Sequence, residues 1–398
     1  MKRTPVYLVL LTVFIDLVGF GIIIPLLPFY AQHFGATPTV IGLLSSSYSV
    51  MQFLFVPFWG RFSDRIGRRP IILMSVTGSF ISYMIFGFSD SLALLFISRI
   101  LAGFMGANIS TAQAYIADTT SVEERARYMG FIGAAFGFGF MLGPFIGGVL
   151  SRISYGAPGF FASGISLANV VLAYFMLPES NPRYSAFGIQ SRGSARKISW
   201  LNVAATQSAF RNHGIRNLVL VFFFYTVAFS ILYVAFPLFS KEILKYDAED
   251  NGYFFAYVGM VGIIIQGGAI GRLARRFGEK SLVTAGLAFF VSALVLVPVT
   301  RALSTLIVSA TLLAVGSAFI APSLTSLISK YAGTGEQGST LGVSQSFSSL
   351  GRVIGPFLGG FIIGTTGFAW PFLTGAIMIV IALILSLRAA SPASQKSG

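Results

Sequence analysis

Apolar positions along this chain fall in long unbroken blocks, not at the 3.6-residue spacing of a one-sided soluble helix. Twelve blocks stand out: 6–30, 39–59, 70–89, 91–117, 128–151, 158–178, 217–240, 251–271, 281–300, 302–329, 337–363 and 371–387. A helix that crosses a bilayer needs about 20 apolar residues, and each block supplies roughly that. Only three charged residues lie inside them, Asp16, Arg99 and Arg352. Membrane strands would alternate over about 10 residues, so the blocks exclude a barrel. The pattern predicts an all-α membrane protein with twelve transmembrane helices in two six-helix pseudo-symmetric halves.

One long polar stretch, 179–216, separates the sixth block from the seventh. It divides the chain into an N-terminal half (1–180), a linker (181–214), a C-terminal half (215–388) and a short tail (389–398). Within the stretch, Ile198 to Phe210 with Trp200 is weakly amphipathic and flanked by Arg and Lys. Both a surface-lying helix and an unstructured linker fit it.

The halves repeat. Gly60-Arg61-Phe62-Ser63-Asp64-Arg65-Ile66-Gly67-Arg68-Arg69 returns as Gly271-Arg272-Leu273-Ala274-Arg275-Arg276-Phe277-Gly278-Glu279-Lys280, 211 positions on. Gly139, Gly143, Pro144, Gly147 and Gly148 return as Gly351, Gly355, Pro356, Gly359 and Gly360, 212 positions on. A duplicated six-helix unit with parallel halves is a transporter architecture, with its substrate site near the midplane.

Composition sharpens this. Hydrophobic residues make up 55% and charged residues 10%, against about 25% charged in a soluble domain. An ordinary soluble enzyme and a disordered chain are both excluded. The net charge of +14 is sorted by side: 21 Lys and Arg fall at the termini and in even-to-odd loops, 4 in the others and 2 inside blocks. That bias places both termini in the cytoplasm of a multi-pass protein of the plasma membrane, or of the inner membrane where a cell has two. The charge is topological, so nucleic acid is not an expected partner. Met1-Lys2-Arg3 leads into the first block without a small-residue cleavage pattern, so that block reads as a retained helix. There is no Cys, and there are only two His. Neither metal-site spacing nor a phosphate-binding loop occurs, so no metal, no cofactor and no enzyme activity are expected. The expected partners are a small-molecule substrate, protons and the lipid bilayer, with the protein a monomer.

The residues that break the apolar pattern carry the candidate chemistry. Asp16 lies about 15 Å deep at 1.5 Å per residue, near mid-membrane. A carboxyl there has a raised proton affinity and exchanges its proton as exposure changes; a static polar pair is the alternative. Arg99 either faces a cavity or partner, or snorkels to the nearer interface. Gly60, Asp64, Arg65, Gly67, Arg68 and Arg69 form a tight charged turn whose pairs could break as the halves move; a plain topology anchor needs neither Asp64 nor the glycines. Gly139, Gly143, Pro144, Gly147 and Gly148 give a smooth packing face with a bend, which would seal the halves against leak. Gln52, Asn108, Gln113, Tyr225, Phe229, Tyr233 and Gln266 suit a mostly apolar pocket with a few polar groups, though each aromatic also fits lipid or core packing. Arg352 stands where the first half has Phe140, so symmetry does not require it. It is expected to bind an anionic substrate group or tune Asp16, or else to pair with a helix-end carbonyl.

On these motifs the chain resembles the major facilitator superfamily over nearly its full length. Within it the chain is most similar to the drug/proton antiporter group, bacterial tetracycline/proton antiporters above all. The likeness rests on Asp16-x-x-Gly19-x-Gly21-x-x-x-Pro25, Met51-Gln52-Phe53, Ser63-Asp64-Arg65-Ile66-Gly67-Arg68-Arg69-Pro70, Arg99-x-x-x-Gly103, Ala114-Tyr115-Ile116-Ala117-Asp118, the Gly139–Gly148 motif and Leu177-Pro178-Glu179-Ser180. The resemblance implies that Asp16 is the essential acid of helix 1 and that Arg99 is the buried arginine of helix 4. It implies that Asp64 meets the cytoplasmic end of helix 11, and that Arg65, Arg68 or Arg69 pairs with Asp118. Ser82 and Phe290 stand where the tetracycline exporters carry acids, and Gly262 stands near the place of their helix-8 histidine. The function so implied is a proton-coupled antiporter exporting amphiphilic organic compounds by alternating access, as in multidrug or tetracycline-like efflux. The alternative is a transporter of one metabolite, such as a sugar or lipid.

Overall fold

The computed structural model of the chain describes residues 4–106, 108–181, 207, 210–332 and 337–388. The tail at 389–398 and the amphipathic stretch at 198–210, apart from Gln207 and Phe210, lie outside the described residues. Among the described residues every regular element is helical, and twelve helices are long and apolar enough to cross a membrane. They are span 1 Pro5–Ile23, span 2 Pro38–Ile66, span 3 Arg68–Gly87, span 4 Leu92–Thr119, span 5 Arg127–Ser151, span 6 Ala157–Met176, span 7 His213–Leu244, span 8 Ala248–Phe277, span 9 Glu279–Val299, span 10 Leu303–Tyr331, span 11 Ser339–Thr366 and span 12 Trp370–Arg388. Each predicted block meets one span. An even number of crossings puts the termini and the even-to-odd loops on one side, called here the terminal side.

Local chemistry sets where the helices stop. After Ile23 the chain turns and resumes as a short helix, Leu27–His33, because Pro25 and Pro28 remove two helix donors. Tyr30 Oη donates to Ser89 O at 2.5 Å and pins this piece to the loop after span 3. Span 4 is interrupted at Gly106, between Leu92–Met105 and Asn108–Thr119. Ser121 accepts from Glu124 N at the start of the next helix, and Asn212 accepts from Gly214 N and Ile215 N at the start of span 7, the usual service of a polar cap. Gly67 and Gly278, equivalent positions of the repeated loop, both turn at positive φ, 104° and 78°. Only glycine adopts that conformation without strain.

The described residues form two compact units. The first holds spans 1, 3, 4, 5 and 6, span 2 from Ser47, and Tyr246–Ala256 at the start of span 8. The second holds Thr37–Ser46 at the start of span 2, span 7, span 8 from Tyr257, and spans 9 to 12. In the first unit spans 1 and 5 touch backbone to backbone. A Cβ at Gly139 would lie 2.9 Å from Leu17, one at Gly143 2.6 Å from Gly21 Cα, and one at Gly147 2.5 Å from Ile22 O. In the second unit spans 7 and 11 repeat the arrangement: Gly351 meets Thr226 and Val227, Gly355 meets Val227 and Ser230, and Gly359 meets Ile231. Lipid gives helices no hydrophobic drive to associate, so close approach over small residues supplies the van der Waals contact instead. A cluster of Val9, Val13, Leu17, Tyr115, Ile132 and Ala173 binds spans 1, 4, 5 and 6 together.

A second pair of glycine contacts is also repeated. In the first unit, Gly148 of span 5 lies against Gly252 and Glu249 of span 8. In the second, Gly360 of span 11 lies against Gly42 and Pro38 of span 2. The twofold repeat seen in the motifs therefore persists at the level of individual contacts.

Candidate functional site

Asp16 is half-buried in the middle of span 1. Span 3 faces it, and Ser79 Oγ donates to Asp16 Oδ1 at 2.7 Å. One turn further along span 3 the Tyr83 ring rests on Gly19, where a Cβ would lie 2.8 Å from the ring. Beyond Tyr83 stands Arg99, 3% exposed, its guanidinium 5.9 Å from the Tyr83 ring centroid and 5.4 Å from that of Phe86. Its Nε bonds Ser98 Oγ at 3.3 Å, and its Nη2 has no hydrogen-bond partner among the described residues. A guanidinium over aromatic faces recovers part of its lost hydration through cation–π attraction. Arg99 thus sits inside the helix packing of the first unit, and the snorkelling alternative does not match its burial.

Around this group the first unit gathers Phe20, Tyr48 and Phe140, with ring centroids 5.0 Å (Phe20–Tyr48) and 6.1 Å (Phe20–Phe140) apart. Gln52 Nε2 donates to Tyr48 Oη at 3.1 Å. Gln113 is exposed, and the Asn108 side chain lies outside the described residues.

In the second unit Tyr225, Phe229 and Tyr233 form a continuous ladder along span 7, with centroid spacings of 5.7 and 5.1 Å. Phe290 of span 9 closes on it, 5.5 Å from Tyr225. Tyr225 and Phe290 are buried, while Phe229 and Tyr233 are half-exposed. The lower rung is thus packing and the upper two rungs present aromatic surface. Arg352, half-buried in span 11, donates from Nη1 to Ser348 Oγ at 3.0 Å and from Nη2 to Ser349 Oγ at 2.8 Å. These are side-chain hydroxyls within one helical turn, so the guanidinium is braced against its own helix. Gln266 is exposed in a widened π turn, Ile265–Ala269; such bulges recur at functional sites.

The charged turn after span 2 is an ordered network. Of its arginines, Arg68 reaches both acids: Nη1 lies 2.6 Å from Asp64 Oδ1, and Nε 3.0 Å from Asp118 Oδ2 at the end of span 4. Arg69 Nη2 donates to Tyr174 O at 2.6 Å. Glu179 organises the turn. Its carboxylate accepts from the backbone N–H groups of Arg68, Arg69, Ser180 and Asn181 at 2.8–3.1 Å. It thereby caps the N-terminus of span 3, where unpaired donors and the helix dipole favour an anion. A Cβ at Gly67 would collide with Glu179 Oε2, so that glycine is required twice, for its φ and for this carboxylate.

The second unit carries the counterpart with its charges exchanged. Glu279 stands 211 positions after Arg68, and Lys330 stands 212 after Asp118. These two form an ion pair, with Ser326 Oγ also donating to Glu279. At the opposite end of the spans, Arg152 pairs with Glu249, which is 4% exposed and accepts from Tyr253 Oη at 2.5 Å. That contact raises the proton affinity of the Arg152 guanidinium, chiefly by the hydrogen bond to Glu249.

Sequence reasoning missed Ser79, Tyr83, Glu179 and the Arg152–Glu249 and Glu279–Lys330 pairs. Three of these had a visible signal. Ser79 and Tyr83 are polar at i and i+4 in an apolar span, and Glu279 and Lys330 appear once the repeat offset is applied to Arg68 and Asp118.

Comparison with known proteins agrees with this architecture. The model of the Major Facilitator Superfamily matches residues 9–300 and 267–398. The chain is 31% identical to the class E tetracycline resistance protein of Escherichia coli, over 97% of this chain and 95% of that protein. It is 29% identical to multidrug resistance protein 2 of Bacillus subtilis (strain 168), over 97% and 95%. Among solved structures it is similar to the human organic anion transporter MFSD10 (TETRAN), with a TM-score of 0.72, 26% identity, and 96% and 99% of the two chains covered.

Proposed function

The chain belongs to the Major Facilitator Superfamily, and from that premise we propose that it is a proton-coupled antiporter that exports amphiphilic organic compounds by alternating access. That it is a membrane transporter of small molecules, and not an enzyme, follows from the family itself.

One observation carries the proton coupling. Asp16 is the only acid within the twelve apolar blocks, and it meets a hydroxyl donor at mid-span. A carboxyl so placed is neutral when closed off from water and ionised when hydrated or approached by a donor. One proton moving through about 100 mV releases roughly 2.3 kcal/mol, enough to hold a roughly 50-fold gradient of a neutral substrate. Arg99, braced by Tyr83 and Phe86, supplies the positive field on the same unit.

The halves at 1–180 and 215–388, joined by the linker at 181–214, are the moving bodies, with both termini cytoplasmic. Gly60, Asp64, Arg65, Gly67, Arg68, Arg69 and Asp118 act as the gate on the terminal side. Gly139, Gly143 and Gly147, expected in the seal, instead fix span 5 on span 1 within the first unit, and the sliding seal is left to Pro144 and Gly148, which meet Gly252 of span 8. The substrate-contacting groups are Gln52, Asn108 and Gln113 in the first half and Phe229, Tyr233 and Gln266 in the second. Tyr225 backs this ladder from within the packing. Arg352 takes an anionic group on the substrate. The similarity to a human organic anion transporter supports that part of the reading, and the similarity to a tetracycline resistance protein and a multidrug resistance protein supports export.

The test is substrate-stimulated proton movement in proteoliposomes under an imposed pH gradient. Tetracycline, cationic dyes and organic anions are the panel. Proton flux that rises with at least one amphiphile is expected. Uptake of a sugar or lipid with no amphiphile-dependent proton flux contradicts the proposal.

A further inference from the structure

A mid-membrane carboxyl serves as a proton carrier only if it also gives its proton up, and span 3 bears on that step. Buried hydroxyls in helices ordinarily return their proton to the carbonyl one turn back. Thr12 does so to Leu8 O at 2.9 Å, Ser82 to Gly78 O at 2.6 Å and Ser89 to Ile85 O at 2.8 Å. Ser79, on the same span as Ser82, does not: its single proton goes to Asp16 Oδ1 at 2.7 Å. The serine itself is buried.

The register that permits this bond is locked one turn away. Gly19 follows Asp16 by three residues and Tyr83 follows Ser79 by four, so both pairs lie on facing helix surfaces. The Tyr83 ring fills the space where Gly19 lacks a side chain, with its hydroxyl 2.9 Å from the position of a Cβ there. Asp16–Ser79 and Gly19–Tyr83 are successive rungs between spans 1 and 3, and neither shifts without the other.

We propose that Ser79 is a positioning residue of the proton step, donating to the carboxylate of Asp16 and so stabilising it once the proton has left, with the Gly19–Tyr83 contact fixing its register. This rests on the reading of Asp16 as the carrier. A hydrogen bond to a charged acceptor is about twice as strong as one to a neutral acceptor. The hydroxyl therefore favours the ionised form, by an amount that the experiment below reads as a shift of about one pH unit. The other titratable or charged groups facing this point are Tyr83 on span 3, Tyr48 on span 2 and Arg99 on span 4. Spans 5 and 6 face span 1 with Gly139, Gly143 and Asn169, none of which titrates. Tyr115 and Tyr128 lie further toward the terminal side, in the cluster around Val9 and Val13. All are unchanged when Ser79 is substituted.

The experiment is infrared difference titration of the carboxyl stretch in the reconstituted full chain, with the Asp16 band identified by its loss in Asp16→Asn. The pH profile of gradient-driven export is measured beside it. Ser79→Ala is expected to move the titration midpoint and the export profile up by about one pH unit. Ser79→Thr, which keeps the hydroxyl, is expected to restore both. Should the alanine variant fail to fold, Ser79→Cys keeps the volume with a weaker donor and is expected to give a smaller upward shift. A midpoint in the folded alanine or cysteine variant equal to that of the parent overturns the proposal. Uphill export by Asp16→Asn overturns the carrier reading instead, and the midpoint of the Asp16 band still decides the role of Ser79.

Discussion

Replacing Gly143 by alanine adds one methyl group where spans 1 and 5 cross. The methyl would lie 2.6 Å from both Gly21 Cα and Gly21 C, and 2.8 Å from Ile22 N. These are backbone atoms, so no side-chain rotation relieves the contact. Ordinary van der Waals contact begins near 3.4 Å, so the two helices must separate by about 1 Å along this face. A radial gap of that size forfeits a quarter to a half of the dispersion energy of every atom pair across it. Overpacking of this kind costs about 1–3 kcal/mol, and alanine recovers up to about 1 kcal/mol through its better helix propensity. With that recovery in full, the net expectation is a loss of up to about 2 kcal/mol, a shift toward loosened packing of up to about thirtyfold. Gly133 is the internal control: it lies on the same span, is exposed, and a Cβ there meets nothing within 4 Å. Purified Gly143→Ala should lose apparent thermal stability in detergent by a few degrees and leak protons faster in liposomes, whereas Gly133→Ala should match the parent in both. Gly355→Ala in the second unit should behave like Gly143→Ala, its methyl lying 2.7 Å from Val227 O. Indistinguishable behaviour of the Gly143 and Gly133 variants would refute the argument that close approach at this glycine holds spans 1 and 5 together.

Further expectations follow from other contacts. Gly67→Ala combines a positive φ with a collision at Glu179 Oε2, whereas Gly278→Ala meets the φ penalty alone. Transport assayed at equal membrane expression should therefore fall much further in the first variant, and equal losses would remove the Glu179 contact from the explanation. Glu249→Gln leaves Arg152 without its ion pair, so cysteines placed in the first turn of span 8 should label faster from the side of Arg152. The exchange Arg152→Glu with Glu249→Arg should restore slow labelling, and labelling unaffected by Glu249→Gln would make the pair incidental. Arg352→Lys keeps the charge but loses the planar fork. Export of organic anions should weaken by about tenfold while neutral substrates are spared, and a uniform loss would point to a structural role.

What the sequence disclosed and what it hid have physical reasons. The twelve spans were legible because a bilayer imposes length and apolarity on every crossing helix. The repeat was legible because glycine positions are fixed by backbone approach, and the same approach occurs twice, Gly143 on Gly21 and Gly355 on Ser230. Asp16 and Arg99 stood out because a charge in an apolar block is rare. Which partner each charge meets was not legible. Asp16 meets Ser79, 63 residues away, and Arg68 meets Asp118, 50 residues away. Those pairings depend on which faces of neighbouring helices meet, and the near-uniform apolarity of membrane helices carries little record of facing. The role of Glu179, a residue of the Leu177-Pro178-Glu179-Ser180 motif, was hidden for another reason: its partners are backbone N–H groups, which have no sequence signature.

The central claim is that Asp16 carries the coupled proton, and its most direct test is export driven by a pH gradient in proteoliposomes containing Asp16→Asn. The amide has the shape of the carboxyl and cannot ionise. The account predicts that gradient-driven accumulation falls to background, while substrate binding and downhill exchange persist and Asp16→Glu keeps partial activity at a shifted pH. Full uphill export by the asparagine variant would contradict the account and transfer the proton to another group.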